Sequence, residues 1–375
     1  MVTEREKRRH DTLLCRRPAG RIPHWEAWSN PDAESFLTGI DYYEHPRLCR
    51  LRLRELYPEL GLPVPESDSP KERPVLGGDG PSADRERHRV RWGDGETDTW
   101  EHGEKYFSTE EDVFSFDPLE HADMRDWPHV VMNWDFRSEE AIYQRLRQDY
   151  PAAWTRAPVG SDVSCGFYNT MFMWPLLTFG WELFLASCLD RRFAPVMAGF
   201  AEINRRVFRA ISRLPVHFVV CHDDIVMTRG PVCPPAWMHR YIYPCYEEFW
   251  SILKDAGKTV IFMTDGCADA VIEDVIACGA AGLVSEPYTD YRRIARAHPD
   301  FFIAGEGDNR ILKYGDREAI ERMVDGMVQT AAMTGGYMMA IGNHIPWDIP
   351  PAAVKLYLDL CEERAWRPDG GGSGC

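Results

Sequence analysis

Five apolar segments in the second half of the chain each end in side chains that could transfer protons or bind a metal. In chain order, these polar residues are His222, Asp223 and Asp224; Thr264, Asp265 and Cys267; Ser285 and Glu286; Glu306 and Asp308; and Asn343 and His344. Asp and Ser are common turn and helix-cap residues, but Glu at two ends and His at two others do not follow from capping. The pattern therefore predicts one functional site rather than five ordinary turns.

Acid–base chemistry is the first use that these residue types indicate. Our catalytic candidates are His222, Asp224, Asp265, Glu286, Asp308, Asn343 and His344. Asp224 and Asp265 end successive strand-like segments, and two carboxylates held close together raise the pKa of one of them. That group could protonate a leaving group while the other, ionised, orients His222 or a metal.

A metal site is the second use, and we predict zinc as the ion. The candidate ligands are His222, Asp265, Cys267 and Glu306, because zinc accepts nitrogen, sulfur and carboxylate oxygen. No spacing motif for a metal accompanies them. The alternative is that Cys267 is a small packing residue and that the carboxylates bind a polar or cationic substrate directly.

The elements that carry these residues alternate between strand and helix. We predict strands whose polar ends lie at 218–224, 259–265, 282–286, 301–308 and 337–344, with helical segments between them. Such βα units favour a (β/α)₈ TIM barrel in the α/β class, in which the carboxyl ends of all strands share one rim. The five polar ends should then line a single cavity.

The first half of the chain is less regular. Residues 1–20 indicate a basic helix, and RIPHWEAWS indicates a first strand. We expect one barrel domain over 1–367, with an N-terminal part at 1–150 that contains an irregular insertion at about 63–104. Residues 368–375, ending in GGGSGC, predict a flexible tail, so Cys375 is left out of the site.

The composition excludes several classes of protein. The formal net charge of −16 argues against a nucleic-acid or anionic-membrane partner, which would need a basic face. The charged amino terminus has no apolar core of a signal peptide, and no apolar run is long enough to span a membrane. Eleven cysteines without a C-x-x-C pair fit reduced thiols, so we expect a cytoplasmic protein.

Several segments resemble the uroporphyrinogen decarboxylase superfamily. They include CHDDIVMTRGPVCPPAWMHRYIYPCYEEFWSILKDAGKTVIFMTDG, AAGLVSEP, GEGDNRILKYGDREAI and GGYMMAIGNHIPWDIP, and the resemblance runs from about Ala153 to Glu363. This superfamily also contains the methylcobamide:coenzyme M methyltransferases and related corrinoid-linked methyltransferases. The resemblance implies a (β/α)₈ barrel with its site at the strand ends.

Two branches of the superfamily match this chain incompletely. True decarboxylases hold substrate carboxylates with an Arg-Gln-Ala-Gly-Arg run, where this sequence has RIPHWEAWSNPD, and their late Gly-His-Gly stands here as Gly342-Asn343-His344. Coenzyme M methyltransferases hold zinc with a His-x-Cys and a later Cys, whose matching positions here are Met263, Asp265 and Asn343. The zinc set of that branch is therefore absent.

The resemblance implies a corrinoid-dependent methyltransferase that passes a methyl group between a small substrate and a corrinoid carried on a partner protein. A decarboxylase of a carboxylated tetrapyrrole is the alternative, and a non-catalytic binding subunit is the second alternative. The oligomeric state stays open, a homodimer included.

Aromatic residues bear on the substrate. Phe167, Tyr168, Phe172, Trp174, Phe179, Trp181 and Trp347 follow predicted strand ends. We expect most of them to be core residues. Any that line the mouth would suit an O-methyl aromatic or a methylated amine.

Overall fold

The fold is given by a computed structural model, which describes residues 3–17, 20–71, 73, 88–92, 95–99, 106–125, 134–149, 164–167 and 170–366. The strands are β1 Trp28–Ser29, β2 His88–Trp92, β3 Gly95–Thr99, β4 Ser164–Phe167, β5 Phe218–His222, β6 Val226–Met227, β7 Gly230–Pro231, β8 Thr259–Met263, β9 Gly282–Val284, β10 Phe302–Ala304, β11 Tyr337–Met338 and β12 Ile345–Pro346.

Helices precede and separate these strands. They are α1 Glu4–Leu13, α2 Pro31–Thr38, α3 Pro46–Leu56, α4 Glu110–Ser115, α5 Glu139–Asp149, α6 Met173–Phe179, α7 Trp181–Ser187, α8 Ala194–Ser212, α9 Pro235–Tyr241, α10 Tyr243–Asp255, α11 Ile272–Cys278, α12 Tyr291–Ala297, α13 Asn309–Tyr314, α14 Arg317–Ala331 and α15 Pro351–Arg364. Within the described segments, no helix is long and apolar enough to cross a membrane.

Six parallel strands form the main sheet, in the order β11-β10-β9-β8-β5-β4. A parallel bridge between His24 and Met339 places a seventh segment on the far side of β11, and β1 pairs in parallel with β12. The predicted α/β class with parallel strands is therefore confirmed. Over the described ranges the sheet does not close into a barrel, so the barrel itself stays a prediction.

The sheet buries both of its faces, which is why its strands are almost continuously apolar. One face packs on the large helical core; α8, for example, buries Phe200, Ile203, Val207 and Ile211 at helical spacing. The other face forms a smaller cluster of Ile261, Phe302, Ala304, Met338 and Ala340, against which Leu13 and Cys15 pack. We call this second face the inner face.

Several elements differ from the sequence prediction. The long helical stretch after β4 is two helices, because Gly180 between them has φ 77° and interrupts the α-helical backbone. Ser164–Phe167 is a strand, although we expected a turn there. The expected irregular insertion contains the antiparallel hairpin β2–β3, and the short helix α13 and the hairpin β6–β7 carry no strong sequence signal.

Some predictions lie outside the described residues. They concern most of HVVMNWDF, the strand-like start at 153–159, the aromatic Tyr168 and the tail at 368–375.

Asp223 links the sheet to the helices that pack on the face opposite the inner face. Its side chain is fully buried and accepts five hydrogen bonds. The donors are Thr170 Oγ1 at 2.7 Å, Met171 N at 2.9 Å, Phe172 N at 2.8 Å, Met173 N at 2.7 Å and Tyr246 Oη at 2.7 Å. One carboxylate thus ties β5 to the start of α6 and to α10.

Replacing Asp223 by Asn should destabilise the protein. The amide NH₂ would face donors that need an acceptor, so we expect Asp223→Asn to lower the free energy of unfolding by about 3 kcal/mol. Urea unfolding measures this. Asp325→Asn is the control, because its carboxylate is 53% exposed and pairs with Arg364 at the protein surface; it should cost less than about 1 kcal/mol. Equal losses in both variants would contradict the anchoring role.

Candidate functional site

The alternation of side chains along the strands decides which polar residues meet. Val220, Ile261 and Val284 belong to the inner face, and residues two or four positions further along the chain share that face. The inner-facing polar residues at the strand ends are His222, Asp265 and Glu286, all partly exposed, whereas their neighbours Cys221, Asp223, Thr264 and Ser285 are buried. Water therefore reaches the inner face at the carboxyl ends of the strands.

His222, Asp224 and Asp265 form a compact trio at this edge. The distance between His222 Nε2 and Asp224 Oδ1 is 2.8 Å, and the same oxygen accepts the backbone N–H of Asp265 at 2.8 Å. One potential ligand atom of each residue lies within 4.8 Å of the others. The sequence offered a signal for Asp224 as part of this group, because residues 222 and 224 are two apart in an extended segment.

Two residues of the trio have raised pKa values. Burial and the charges of Asp224 and Glu286 raise the pKa of Asp265 to about 7. Burial lowers the pKa of His222, but the hydrogen bond and charge of Asp224 and the charge of Asp265 outweigh it and raise that pKa. Both groups therefore keep their protons to a higher pH than exposed carboxyl and imidazole groups would, because both pKa values are raised.

Glu286 and Asn343 extend the trio on two sides. Glu286 Oε2 accepts the backbone N–H of Gly266 at 2.7 Å. Asn343 donates from Nδ2 to Asp265 Oδ2 at 3.1 Å, and its Oδ1 lies 2.6 Å from His344 Nδ1. Four of the seven catalytic candidates, His222, Asp224, Asp265 and Asn343, thus form one hydrogen-bonded group. His344 joins it through Asn343, and Glu286 is linked to it by the backbone of Gly266.

Gly266 fixes the turn that carries Asp265. It has φ 89°, and a Cβ there would lie 2.7 Å from the carbonyl oxygen of Met227. The adjacent Cys267 donates its N–H to that same oxygen at 2.9 Å. The hairpin β6–β7 therefore packs directly on the turn.

Cys267 and Glu306, two of the four metal ligands predicted from the sequence, lie outside the trio. Glu306 accepts hydrogen bonds from Thr330 Oγ1 at 2.8 Å and from Tyr337 Oη at 2.6 Å. The preceding Gly305, with φ 102°, interrupts the alternation that would have put Glu306 on the inner face. Burial raises the pKa of the Cys267 thiol, which disfavours the thiolate that binds metals.

Asp308 is engaged at the start of α13 rather than in the trio. It accepts the N–H of Arg310 at 2.8 Å and pairs with the Arg310 guanidinium at 2.7 Å. Arg310 also donates to Tyr288 Oη at 2.9 Å and lies over its ring. Asp308 thus caps a helix and neutralises a rim arginine.

Of the five singled-out aromatic residues whose side chains are described, three belong to the core. Phe172, Trp174 and Phe179 are buried, while Trp181 and Trp347 are 37% and 43% exposed. Sequence reasoning missed Trp25, which is 36% exposed and, by alternation from the buried His24, lies on the inner face. The described part of Phe167 is limited to its backbone.

Sequence reasoning also missed Glu26. This buried carboxylate accepts the Ile341 N–H at 3.0 Å and the Tyr357 hydroxyl at 2.6 Å, and lies 2.7 Å from His24 Nε2. Its position two residues after His24 in a predicted strand is compatible with core or site, so the sequence alone could not assign it.

The trio can do two kinds of chemistry. An imidazole and two carboxylates fit a catalytic zinc site, which uses three protein ligands of nitrogen and oxygen and leaves one position open. A carboxyl group with a pKa near 7 also fits a general acid at neutral pH. The fold and the site together define a parallel α/β protein with a protonatable polar site at the carboxyl ends of its strands.

Comparisons with known proteins agree with this class. The family model described as Uroporphyrinogen decarboxylase (URO-D) matches residues 192–364. The resemblance read from the motifs is thereby confirmed over this segment, where the chain is similar to the uroporphyrinogen decarboxylase family. A solved structure described as a methyltransferase from Methanosarcina mazei has a similar fold, with a TM-score of 0.54 and 14% identity over 97% of this chain and 99% of the other. No curated protein sequence matches the chain.

The raised pKa of Asp265 predicts a pH-dependent stability. The pKa of about 7 in the folded protein exceeds the ordinary aspartate pKa of 3.8 expected in the unfolded chain, so the folded state binds more protons between those pH values. Stability should therefore fall as pH rises from about 4 through 7, by a few kcal/mol at most (~1.4 kcal/mol per pKa unit). The raised pKa of His222 acts in the same direction, because its contribution is lost as pH rises through the folded value.

Urea unfolding at pH 5 and pH 8 in EDTA, with wild type and Asp265→Asn, measures this dependence. The variant should lose the part of the slope that Asp265 causes and become relatively more stable at pH 8. Asp325→Asn should keep the wild-type slope. Equal slopes in wild type and Asp265→Asn would show that Asp265 titrates normally.

Proposed function

We propose that this chain is a corrinoid-dependent methyltransferase, which passes a methyl group between a small substrate and a corrinoid held by a separate protein. The observation that carries the proposal is Asp265, a carboxyl group with a pKa of about 7 next to His222 and Asp224. The family match over residues 192–364 supports it, because the resembling superfamily contains such methyltransferases, as does the likeness in fold to a methyltransferase.

The proposal includes a closed (β/α)₈ barrel and a cytoplasmic location. Seven parallel segments follow one another around the sheet in the described residues, in the order that a barrel requires. The strand ends that carry the trio would then open into one mouth, where a substrate and a partner protein can meet.

Asp265 would protonate the atom that loses the methyl group. When the carbon–heteroatom bond of a donor breaks, its electron pair stays on the oxygen or nitrogen, while the methyl group passes to the reduced corrinoid of the partner. That oxygen or nitrogen then needs a proton, which Asp265 can supply near pH 7. Asp224 holds the His222 ring in place through the 2.8 Å contact at Nε2. Asn343 holds Asp265.

Zinc held by His222, Asp224 and Asp265 would be the alternative to proton donation by Asp265, because a carboxylate that ligates the metal does not carry the proton. The donor types fit zinc, and the three ligand atoms already lie within 4.8 Å of one another. When bound, the ion would act as a Lewis acid on the substrate heteroatom. This set differs from the His-x-Cys and later Cys of the coenzyme M methyltransferases, because Asp265 and Asn343 stand at the two cysteine positions.

A direct assay tests the proposal. The purified protein is mixed with chemically reduced cobalamin and a panel of O-methyl aromatics and methylated amines, and formation of methylcobalamin is followed by absorbance. We expect transfer from at least one donor. Conversion of uroporphyrinogen with release of carbon dioxide would instead support the decarboxylase alternative. Failure in both assays would favour a binding subunit.

Asp265→Asn should fold normally but turn over slowly. Loss of a positioned acid–base group typically costs about 100-fold or more in rate, so we expect at least that loss in methylcobalamin formation. A melting curve checks the fold. Asp325→Asn is the control, because its exposed carboxylate pairs with Arg364 and lies outside the trio; its rate should stay normal. A normal rate in Asp265→Asn would place the chemistry elsewhere.

The zinc assignment predicts the metal content. Elemental analysis of untagged protein should show zinc at close to one equivalent, and His222→Ala should lose most of it, because the trio then has two ligands. Cys267→Ala should keep its zinc, since that thiol lies outside the trio. Full activity in a metal-free protein would rule out a catalytic zinc.

A further inference from the structure

We infer that Asn343 is a positioning residue, which sets the orientation of the Asp265 carboxylate. The inference rests on the proposed function only in taking Asp265 as the working group of the site. Asn343 then has a role different from that of a metal ligand, although it matches the position of a zinc-binding cysteine in one branch of the superfamily.

The side-chain amide of Asn343 has a defined direction. Its Oδ1 lies 2.6 Å from His344 Nδ1. Because an amide oxygen can only accept a hydrogen bond, His344 Nδ1–H is the donor in this contact. The Nδ2 end therefore faces Asp265 and donates to Oδ2 at 3.1 Å. This bond restricts rotation of the Asp265 carboxylate about its Cβ–Cγ bond.

The backbone of Asn343 is held in an uncommon conformation. Its φ of 68° is in the left-handed region, which Asn tolerates better than other residues with a side chain. Gly342 just before it has no room for a Cβ, which would lie 2.6 Å from Pro287 Cδ and 2.7 Å from the Gly305 carbonyl oxygen. Gly342, and with it the backbone that leads to Asn343, thus packs closely against the loops that follow β9 and β10.

Glu26 fixes the same segment from the opposite side. Its carboxylate accepts the N–H of Ile341 at 3.0 Å and is itself held by the Tyr357 hydroxyl at 2.6 Å and by His24 at 2.7 Å. The segment that leads to Asn343 is therefore anchored by a buried network on one side and by close backbone contacts on the other. A fixed backbone with a directed amide is what positioning a catalytic carboxylate requires.

Two variants separate positioning from a structural role. Asn343→Gly keeps the left-handed backbone and removes the donor; Asn343→Asp keeps the shape and turns an acceptor toward Asp265. Arg17→Gly is the matched control. Arg17 is also left-handed, with φ 41°, and its backbone N would contact a Cβ at Gly335, before the start of β11 and so at the opposite end of that strand from Asn343.

We expect kcat for methyl transfer to fall about 10-fold in Asn343→Gly and further in Asn343→Asp, with KM within about twofold of wild type, as for other residues that orient a working group. The Kd for added Zn²⁺, measured by calorimetry, should weaken by a similar factor. Melting temperatures of Asn343→Gly and Arg17→Gly should change equally. A loss confined to stability would overturn the inference.

Crystal structures of the unliganded wild type and of Asn343→Gly decide the inference independently of activity. We expect the Asp265 carboxylate to turn away from its wild-type orientation in the variant. An unchanged carboxylate would overturn the positioning role, whether or not the protein transfers methyl groups. A wild type without methyl transfer, together with a displaced Asp265 in the variant, would refute the proposed function and leave the inference standing.

Discussion

A carboxylate that is withdrawn from water must be given hydrogen-bond donors, and this requirement divides the acidic residues at the strand ends into two sets. Asp223, Glu306 and Glu26 receive theirs from inside the protein, and each accepts a tyrosine hydroxyl. These three link strands to helices or to neighbouring strands. Asp265 and Glu286 receive fewer donors and lie where water reaches the inner face, so they remain available to a substrate.

Asp224 connects the two strands from which the site is built. One of its oxygens meets both the His222 ring on β5 and the backbone N–H of Asp265 after β8. The arrangement brings a second negative charge close to Asp265, and that proximity contributes to the raised pKa of Asp265. The contact of Asp224 with the Asp265 backbone therefore has two effects: it positions Asp265, and it helps to raise the pKa of the Asp265 carboxyl group.

Much of the fold could be predicted from the sequence, because the strands β5, β8, β9 and β10 are apolar runs with clear polar ends and helices between them. The site was harder to predict. His222, Asp224 and Asp265 follow from simple alternation along a strand, but Glu306 does not, since Gly305 reverses the direction of its side chain. Pairings between distant segments, such as Glu26 with the Ile341 amide, leave no periodic signal in the sequence.

The close contact between Gly266 and Met227 limits how a ligand can enter. The Met227 carbonyl fills the space beside Gly266 and accepts the Cys267 N–H, so an outward movement of the hairpin β6–β7 would break a hydrogen bond of the turn that carries Asp265. A ligand that binds with this turn intact is therefore expected to reach Asp265 without a movement of the hairpin.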